Sequence, residues 1–228
     1  MPSIITINQF SPHYPRRLLD LVDAPKQIYC IGQLETLNKL GLAIVGSRKA
    51  SLEGIKQSHR FAKALSLEGF CIISGLAQGI DAAAHRGALE SGTKHPTIAI
   101  CGSGLDTCYP RHHQPLFNEI AQKGLLLSEY PPGTGVKPFH FPKRNRLIAA
   151  LSVGTLVVEA TIKSGSLISA RQAANLGREV FAIPRSIEEQ GSEGCHHLIK
   201  DGAKLTQHIS DILDELQPYQ GFSLVKQV

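Results

Sequence analysis

The chain has 228 residues, of which 42% are hydrophobic and 19% are charged. It can therefore bury a sizeable core, and its composition excludes a disordered tail, a fibrous protein and a disulfide-stapled module. Its net charge of +5 is unevenly distributed along the chain. Residues 184–228 contain four Lys/Arg and seven Asp/Glu and so carry −3, which leaves +8 on residues 1–183. A basic body of this kind indicates a polyanionic partner.

The sequence shows no sign of secretion or membrane insertion. Residues 1–10 lack a basic segment followed by a long apolar one, so no signal peptide is expected. The apolar stretch Leu147–Ala160 is shorter than the roughly 20 residues that span a bilayer. Five cysteines without a Cys-x-x-Cys pair indicate free thiols. We therefore expect a cytoplasmic protein with no metal site and no membrane partner.

In chain order, residues 1–40 come first, and their prolines and lack of periodicity predict an irregular or helical lead-in that packs on the main domain. Short apolar runs bounded by Gly, Ser or Pro then recur, and each predicts a strand buried on both faces. These runs are Leu42–Val45, Phe70–Ile73, Thr97–Cys101, Leu125–Leu127, Leu156–Val158 and Val180–Ile183. Residues 41–216 make up the predicted main domain, and residues 217–228 are predicted to be a tail.

Segments of helical length and period lie between these runs. They are Ser51–Glu68, Ile80–Glu90, Arg111–Lys123, Pro142–Leu151 and Ser166–Leu176. Pro142 suits the first turn of a helix, where a missing N–H costs nothing. Alternating strands and helices predict an α/β fold with a largely parallel sheet that is covered by helices on both faces.

Gly- and Ser-rich turns follow four of the predicted strands. The carboxyl ends of parallel strands share one edge, where ligands bind, and small residues let backbone N–H groups approach an anion. Each turn alone is better explained as an ordinary turn or helix cap. Because four such turns converge with Arg48, Lys49 and Lys163 among them, we predict an anion-binding surface at this edge. Its candidate residues are Gly46, Ser47, Arg48, Lys49, Ser74, Gly75, Gln78, Gly79, Lys163, Ser164, Gly165 and Ser166. The remaining one of the four turns, Gly102-Ser103-Gly104, follows the predicted strand Thr97–Cys101 at the same edge.

The common phosphate-binding motifs are absent from these turns. The sequence has no GxxxxGK[ST] motif, so it is not a P-loop protein. Gly102-Ser103-Gly104 lacks the third glycine of GxGxxG, and no acidic residue follows about 20 positions later at a second strand end. A dehydrogenase-type dinucleotide site is therefore not expected, and no cofactor is predicted.

The segment from Lys137 to Arg146 combines cations with aromatic rings. It has four Lys/Arg in ten residues, and no Asp or Glu occurs from Tyr130 to Val158. Cations interleaved with aromatics are typical of surfaces that bind unpaired nucleic acid; the alternative is a solvated basic helix start with its phenylalanines in the core. The candidate DNA-binding residues here are Lys137, Phe139, Phe141, Lys143, Arg144, Asn145 and Arg146.

Other polar groups carry weaker signals. Asp81 and His85 lie four residues apart on one helix face, and a structural contact explains them better than acid–base chemistry. Adjacent histidines in His112-His113 and Cys195-His196-His197 point in different directions and complete no tetrahedral metal set. Glu129 and Glu159 end strands at the ligand edge, where either could act as a general base or could neutralise Arg48 or Arg144. Since no nucleophile arrangement is evident, no catalytic residue is predicted.

Several of these segments together resemble the DprA (Smf) family of DNA-processing proteins. They are Val45-Gly46-Ser47-Arg48, Ser74–Asp81 with Ala84-His85, Phe141–Ile148, and Glu159–Leu167. The resemblance covers roughly residues 10–205. It implies an extended Rossmann-like domain that binds and protects single-stranded DNA in natural transformation. It further implies a homodimer that helps to load the RecA recombinase, without catalysis.

The sequence departs from the family pattern at Arg185, where the family usually has Gly, and at His197, where it usually has Asn. Two alternatives stay open. Lysine-decarboxylase-like phosphoribohydrolases use a Gly-Gly-x-Gly-Thr-x-x-Glu turn on a similar sheet; Ser152–Glu159 keeps Gly-Thr but lacks the glycine pair and places Glu one residue too far. The third possibility is a sensor of small nucleotides, which would bind a mononucleotide regardless of strand length.

Overall fold

A nine-stranded mixed sheet runs through residues 3–224, the part of the chain that this computed structural model describes. Its strands are β1 Ile5–Asn8, β2 Gln27–Gly32, β3 Gly41–Val45, β4 Cys71–Ser74, β5 Thr97–Cys101, β6 Leu125–Ser128, β7 Ser152–Val157, β8 Glu179–Ala182 and β9 Lys204–Leu205. Their order is β1-β2-β6-β5-β4-β3-β7-β8-β9, and β6 to β9 in this order are parallel.

Helices cover both faces of the sheet, as expected for parallel strands. They are α1 Leu52–Leu67, α2 Ile80–Glu90, α3 Gln114–Lys123, α4 His140–Leu151, α5 Gly165–Asn175, α6 Glu193–Lys200 and α7 Ser210–Leu224. Helices α4, α5 and α6 pack on one face, and α1, α2, α3 and α7 pack on the other. The predicted α/β class with a largely parallel, doubly covered sheet is thus confirmed. No helix within residues 3–224 is long and apolar enough to cross a membrane.

The six predicted strands and five predicted helices all occur, with small shifts at their ends. The segment predicted as one helix over Arg111–Lys123 begins with a separate 3-10 turn, Arg111–His113, before α3. Helix α4 begins two residues before Pro142, and β7 starts at Ser152 directly after it, four residues earlier than predicted. Helix α7 continues past residue 217, where a tail was predicted; residues 225–228 of that tail lie outside the described part of the chain.

The lead-in differs from its prediction because it contributes two strands to the main sheet. Strand β1 pairs antiparallel with β2, and β2 pairs antiparallel with β6. Two 3-10 helices, Arg16–Asp20 and Leu34–Asn38, complete the segment. Strand β1 has four residues, of which only Ile7 is buried, so it has almost no apolar pattern. Strand β2 has six residues with three buried positions, but it lies in a proline-containing segment without a clear periodicity. Pairing with the long central sheet stabilises them.

The connections reverse direction between β3 and β7. From β3 the chain runs through α1 to β4, through α2 to β5 and through α3 to β6. Helix α4 then carries the chain back across the opposite face of the sheet to β7, which lies beside β3. Crevices at the carboxyl ends of strands beside such a reversal are the usual ligand sites of open α/β sheets. The loops after β3 and β7 flank this crevice, and the start of α4 lies beside it.

Candidate nucleic-acid interface

The loop after β3 presents two cations to solvent. Arg48 and Lys49 are exposed, whereas the backbone around them is fixed by the neighbouring loop after β7. The Ser47 N–H donates to the Glu159 carbonyl oxygen at 2.7 Å. A Cβ on Gly46 would lie 2.9 Å from the same oxygen, so only glycine lets the two loops approach this closely.

Glu159 is buried beneath this loop and bonds its far end. Its carboxylate accepts hydrogen bonds from the Ser51 N–H at 3.1 and 3.2 Å and from Ser51 Oγ at 2.7 Å. Ser51 in turn caps α1 by accepting from the Gly54 N–H. Arg185 is one of the two residues that depart from the family pattern. Its Nη1 lies 3.3 Å from Glu159, and its Nη2 donates to Ser51 Oγ at 3.0 Å. Glu159 therefore neutralises Arg185, and neither Arg48 nor Arg144.

The turn after β4 is mostly structural. Ser74 is buried and donates to the Ile44 carbonyl oxygen at 2.6 Å, so its hydroxyl is not available to a ligand. Gly79 has φ +75° and lies against the Ser47 carbonyl group, where a side chain would overlap. Gln78 is exposed at the tip of the turn, and its amide lies 3.0 Å from His112 Nε2.

Arg144 is buried under the turns at the carboxyl edge of the sheet and is not exposed on their solvent side. It is 4% exposed, and its Nη1 donates to the carbonyl oxygens of Gly75 at 2.7 Å and of Ile100. A Cβ on Gly75 would overlap the guanidinium group, so the lack of a side chain there lets Arg144 pack directly on the turn. Burial lowers the Arg144 pKa and raises the Asp81 pKa, while the two opposite charges stabilise each other. The predicted phosphate contact of Arg144 is therefore not supported by its position; it holds the ends of β4 and β5 together.

Arg146 is likewise committed to acidic partners. Its Nη1 and Nη2 donate to the two oxygens of Glu129 at 3.0 and 2.8 Å, and its Nε donates to Asp23 at 2.8 Å. Burial lowers the pKa of Arg146, but the charged hydrogen bonds to Glu129 and Asp23 together outweigh burial, and the pKa is raised. The predicted role of Arg146 in phosphate binding is not supported either, because its donors are used to attach α4 to the lead-in.

The remaining residues of the basic segment face outward. Lys137, Phe139 and Lys143 are exposed, with Phe139 at 64%, and the Lys137 ammonium lies 5.9 Å from the Phe139 ring. Lys143 Nζ is 3.7 Å from Glu129 but half exposed. Phe141 is half-buried. Lys137, Phe139 and Lys143 are therefore the exposed part of the segment predicted to bind DNA, and Arg144 and Arg146 are not part of that surface.

The loop after β7 adds another exposed cation to the carboxyl edge of the sheet. Lys163 is exposed, and Ser164 caps α5 by accepting from the Ser166 N–H, while the two hydroxyls lie 2.7 Å apart. Asn145 of α4 donates to the Gly165 carbonyl oxygen at 3.2 Å. This bond joins the start of α4 to the start of α5, so Lys163 and the basic segment belong to one surface.

Sequence reasoning missed the loop after Gly104. Tyr109 is 48% exposed with its ring centroid 5.4 Å from that of Phe141, and Arg111 and His112 are exposed beside it. The signal was present as an aromatic and an arginine downstream of Gly102-Ser103-Gly104. The proximity of Tyr109 to Phe141 is a contact between residues far apart in the chain, and no local pattern in the sequence indicates it.

The polar residues with weaker sequence signals, such as Asp81 and His85, have structural roles within residues 3–224. Asp81 accepts from the N–H groups of Gly75 and Ala77, whereas His85 bonds Thr97, so the two side chains serve different partners. Within residues 3–224, no group of His, Cys, Asp and Glu side chains is arranged to hold a metal ion. The five cysteines are free and buried.

Comparison with known proteins identifies the family. A profile of the DNA recombination-mediator protein A family matches residues 4–217. The chain belongs to this family. It is 47% identical over 204 residues to DNA processing protein DprA from Streptococcus pneumoniae, covering 90% of this chain and 71% of that protein. It is 44% identical to protein Smf from Escherichia coli over 208 residues, covering 91% of this chain but 55% of that protein.

Solved structures of this family share the fold. The X-ray structure of DprA from Streptococcus pneumoniae superposes with a TM-score of 0.89 at 44% identity, covering 93% of this chain and 74% of that one. A Helicobacter pylori DprA structure, described for its single-stranded DNA binding mode, gives 0.85 at 32% identity and covers 95% and 97% of the two chains. A molybdenum cofactor binding protein from Rippkaea orientalis, at 14% identity and a TM-score of 0.55, covers 79% and 97% and shares the fold alone.

Proposed function

We propose that this chain binds single-stranded DNA at the carboxyl edge of its sheet. One observation carries the proposal: exposed cations from three separate segments lie at this edge together with the exposed ring of Phe139. The cations are Arg48, Lys49, Lys137, Lys143 and Lys163. Cations bind phosphates and aromatic faces stack on unpaired bases, so the combination favours a single strand. The Helicobacter pylori relative, whose printed description names single-stranded DNA binding, supports the same ligand.

The proposed action is binding without catalysis. The two carboxylates at the edge, Glu129 and Glu159, accept hydrogen bonds from Arg146 and from Ser51. A carboxylate engaged in this way is a poor general base, which speaks against phosphoribohydrolase-like cleavage. We further infer action in the cytoplasm as a homodimer that protects incoming DNA and helps to load the RecA recombinase. These steps follow from the family resemblance, and the free thiols agree with a reducing compartment.

A salt-dependent titration tests the proposal. Each phosphate contact adds about 0.7 to the log–log slope of affinity against salt for a single strand, so five cations predict a slope of up to about 3.5. We expect single-stranded DNA to bind more tightly than duplex of the same length, and both more tightly than a mononucleotide. A slope near zero would overturn the proposal. Equal binding of a mononucleotide would favour the nucleotide sensor, and release of free base from a nucleoside monophosphate would favour the enzyme.

A further inference from the structure

Two arginines from distant parts of the chain meet where the lead-in packs beside the start of β8. Arg178 directly precedes β8, at the edge of the sheet opposite to the carboxyl ends of the parallel strands, and Arg17 lies in the 3-10 helix Arg16–Asp20. Residues i and i+3 of a 3-10 helix lie on the same side, so Arg17 and Asp20 share one side of this helix. Arg178 donates a hydrogen bond to Asp20. The two guanidinium groups are therefore neighbours.

These two guanidinium groups have unused hydrogen-bond donors. Arg17 Nη1 and Arg178 Nε are both buried, and neither has a hydrogen-bond partner within residues 3–224. Arg178 forms an ion pair with Asp20, which is half exposed, whereas Arg17 forms no ion pair with any described residue. Two positive charges thus share one carboxylate. A buried charged donor without an acceptor is unfavourable, so this arrangement favours the binding of a further anion.

The two positive charges also repel each other. Burial lowers the pKa of Arg17, and the like charge of Arg178 lowers it further. Tyr219 and Asp20 act in the opposite direction but do not cancel this effect. The surroundings that the protein provides thus destabilise the charge of Arg17. An anion bound between the two arginines would stabilise both charges and accept the unused N–H donors.

We propose that Arg17 and Arg178 form a binding site for a phosphate group, supplied as free phosphate or as the phosphate of a nucleotide. A phosphate group carries about −1.5 to −2 charges at pH 7 and has at least three acceptor oxygens, so one group can bond two guanidinium forks. A carboxylate has two oxygens and matches one fork only. The inference does not rest on the proposed function, because the site lies at the opposite edge of the sheet. Bound phosphate would join the lead-in to the start of β8.

Thermal unfolding tests whether phosphate binds. A ligand that binds only the folded chain raises the midpoint, so potassium phosphate should raise it relative to potassium chloride at equal pH and ionic strength. We expect a rise of roughly 2–4 °C when the phosphate concentration is about four times its dissociation constant. An equal effect of adenosine monophosphate, with none of adenosine, would extend the site to nucleotides; a rise with phosphate alone would restrict it to the free ion. No rise with either ligand would overturn the inference.

Three variants locate this effect. Arg17→Gln removes an arginine that has no ion pair within the described residues, so the variant should keep its midpoint in chloride and lose the rise in phosphate. Arg16→Gln is the matched control, because it removes the same charge from an exposed position on another side of the same helix. Arg48→Ala removes a cation of the opposite edge and should also keep the rise. Equal rises in Arg17→Gln and Arg16→Gln, or a rise lost only in Arg48→Ala, would overturn the inference.

Selenate locates the anion in the unmodified protein, so this test does not depend on how a variant folds. Selenate is a tetrahedral oxyanion like phosphate, and its selenium gives an anomalous X-ray signal. In crystals grown with selenate we expect an anomalous peak between the guanidinium groups of Arg17 and Arg178. A peak at the carboxyl edge alone would overturn this site and leave the proposed function intact. A peak at the arginines without any rise of the midpoint in solution would mean an adventitious ion only, and would also overturn the inference.

Discussion

Glu159 and Ser51 are joined by three hydrogen bonds, from the serine N–H to both carboxylate oxygens and from its hydroxyl to one of them. A carboxylate would normally weaken a surface that binds phosphate, since like charges repel. Glu159 is 2% exposed, however, and its charge is offset by Arg185. Its carbonyl and carboxylate oxygens bond opposite ends of the loop from Ser47 to Ser51, so this acid fixes the backbone that presents Arg48.

Replacing Glu159 by alanine should therefore damage both stability and DNA binding. The change removes the acceptor of Ser51 and leaves Arg185 without its buried partner, which costs on the order of 3–5 kcal/mol of unfolding free energy. Urea unfolding gives the stability, and DNA titration below the unfolding transition gives the affinity. Glu68→Ala, at an exposed acid at the carboxyl end of α1 on the opposite edge of the sheet, is the control and should change neither. Unchanged stability of the Glu159 variant would refute this role.

Arg48→Ala should weaken DNA binding without weakening the fold. Its side chain is exposed and the loop is held by backbone groups, so the unfolding free energy should change by no more than about 0.5 kcal/mol. Loss of a charge-assisted phosphate contact should cost about 1.5–3 kcal/mol of binding. Lys94→Ala, in the loop before β5 at the opposite edge, removes the same charge and should bind normally. A large fall in the thermal midpoint of Arg48→Ala would contradict the assignment.

Arg146→Ala should give the reverse result. Its guanidinium group bridges Glu129 and Asp23, and its removal leaves the buried Glu129 carboxylate without its main partner. We expect a loss of about 3–5 kcal/mol in unfolding free energy, with DNA affinity preserved at temperatures where the variant is folded. Calorimetry and titration on the same preparation separate the two effects. Normal stability combined with weakened, less salt-sensitive binding would restore Arg146 as a phosphate ligand.

His85 predicts a dependence of stability on pH. Thr97 donates its only hydroxyl hydrogen to Ile72, so His85 Nδ1 must donate to Thr97, and the buried Nε2 is left unprotonated and without a hydrogen-bond partner in the described structure. Burial lowers the His85 pKa from 6.5 to about 3. Between these values the unfolded chain binds a proton that the folded chain does not, so stability is complete above pH 6.5 and falls as the pH decreases toward 3.

The variant His85→Asn isolates this contribution, because the asparagine amide can keep the bond to Thr97 but does not titrate. We expect the thermal midpoint of the unmodified protein to fall more between pH 7 and pH 5 than that of the variant. Asp81 acts in the opposite sense, since burial raises its pKa and the folded state holds its proton more readily; it is present in both proteins and cancels in the comparison. Parallel pH profiles would show that His85 does not contribute.

The sequence by itself determined the repeating part of the fold and the place of the site. Continuous apolar runs such as Thr97–Cys101 can be satisfied only by strands covered on both faces, and helical periods between them require parallel connections. Because parallel strands end at one edge, the turns after β3, β4 and β7 had to meet there. Local chemistry was sufficient for these inferences, since strand burial and turn formation depend on neighbouring residues.

Only the tertiary structure decided which cations face a ligand. Arg48, Arg144 and Arg146 all belong to segments that the sequence predicts to bind phosphate, yet Arg144 is covered by the ends of β4 and β5, and Arg146 is held by Glu129 and by Asp23 of the distant lead-in. The tertiary structure likewise decided that β1 and β2 join the main sheet and that Tyr109 contacts Phe141. A charge is free or paired according to groups far away along the chain, and such long-range partners leave no local pattern from which they could be predicted.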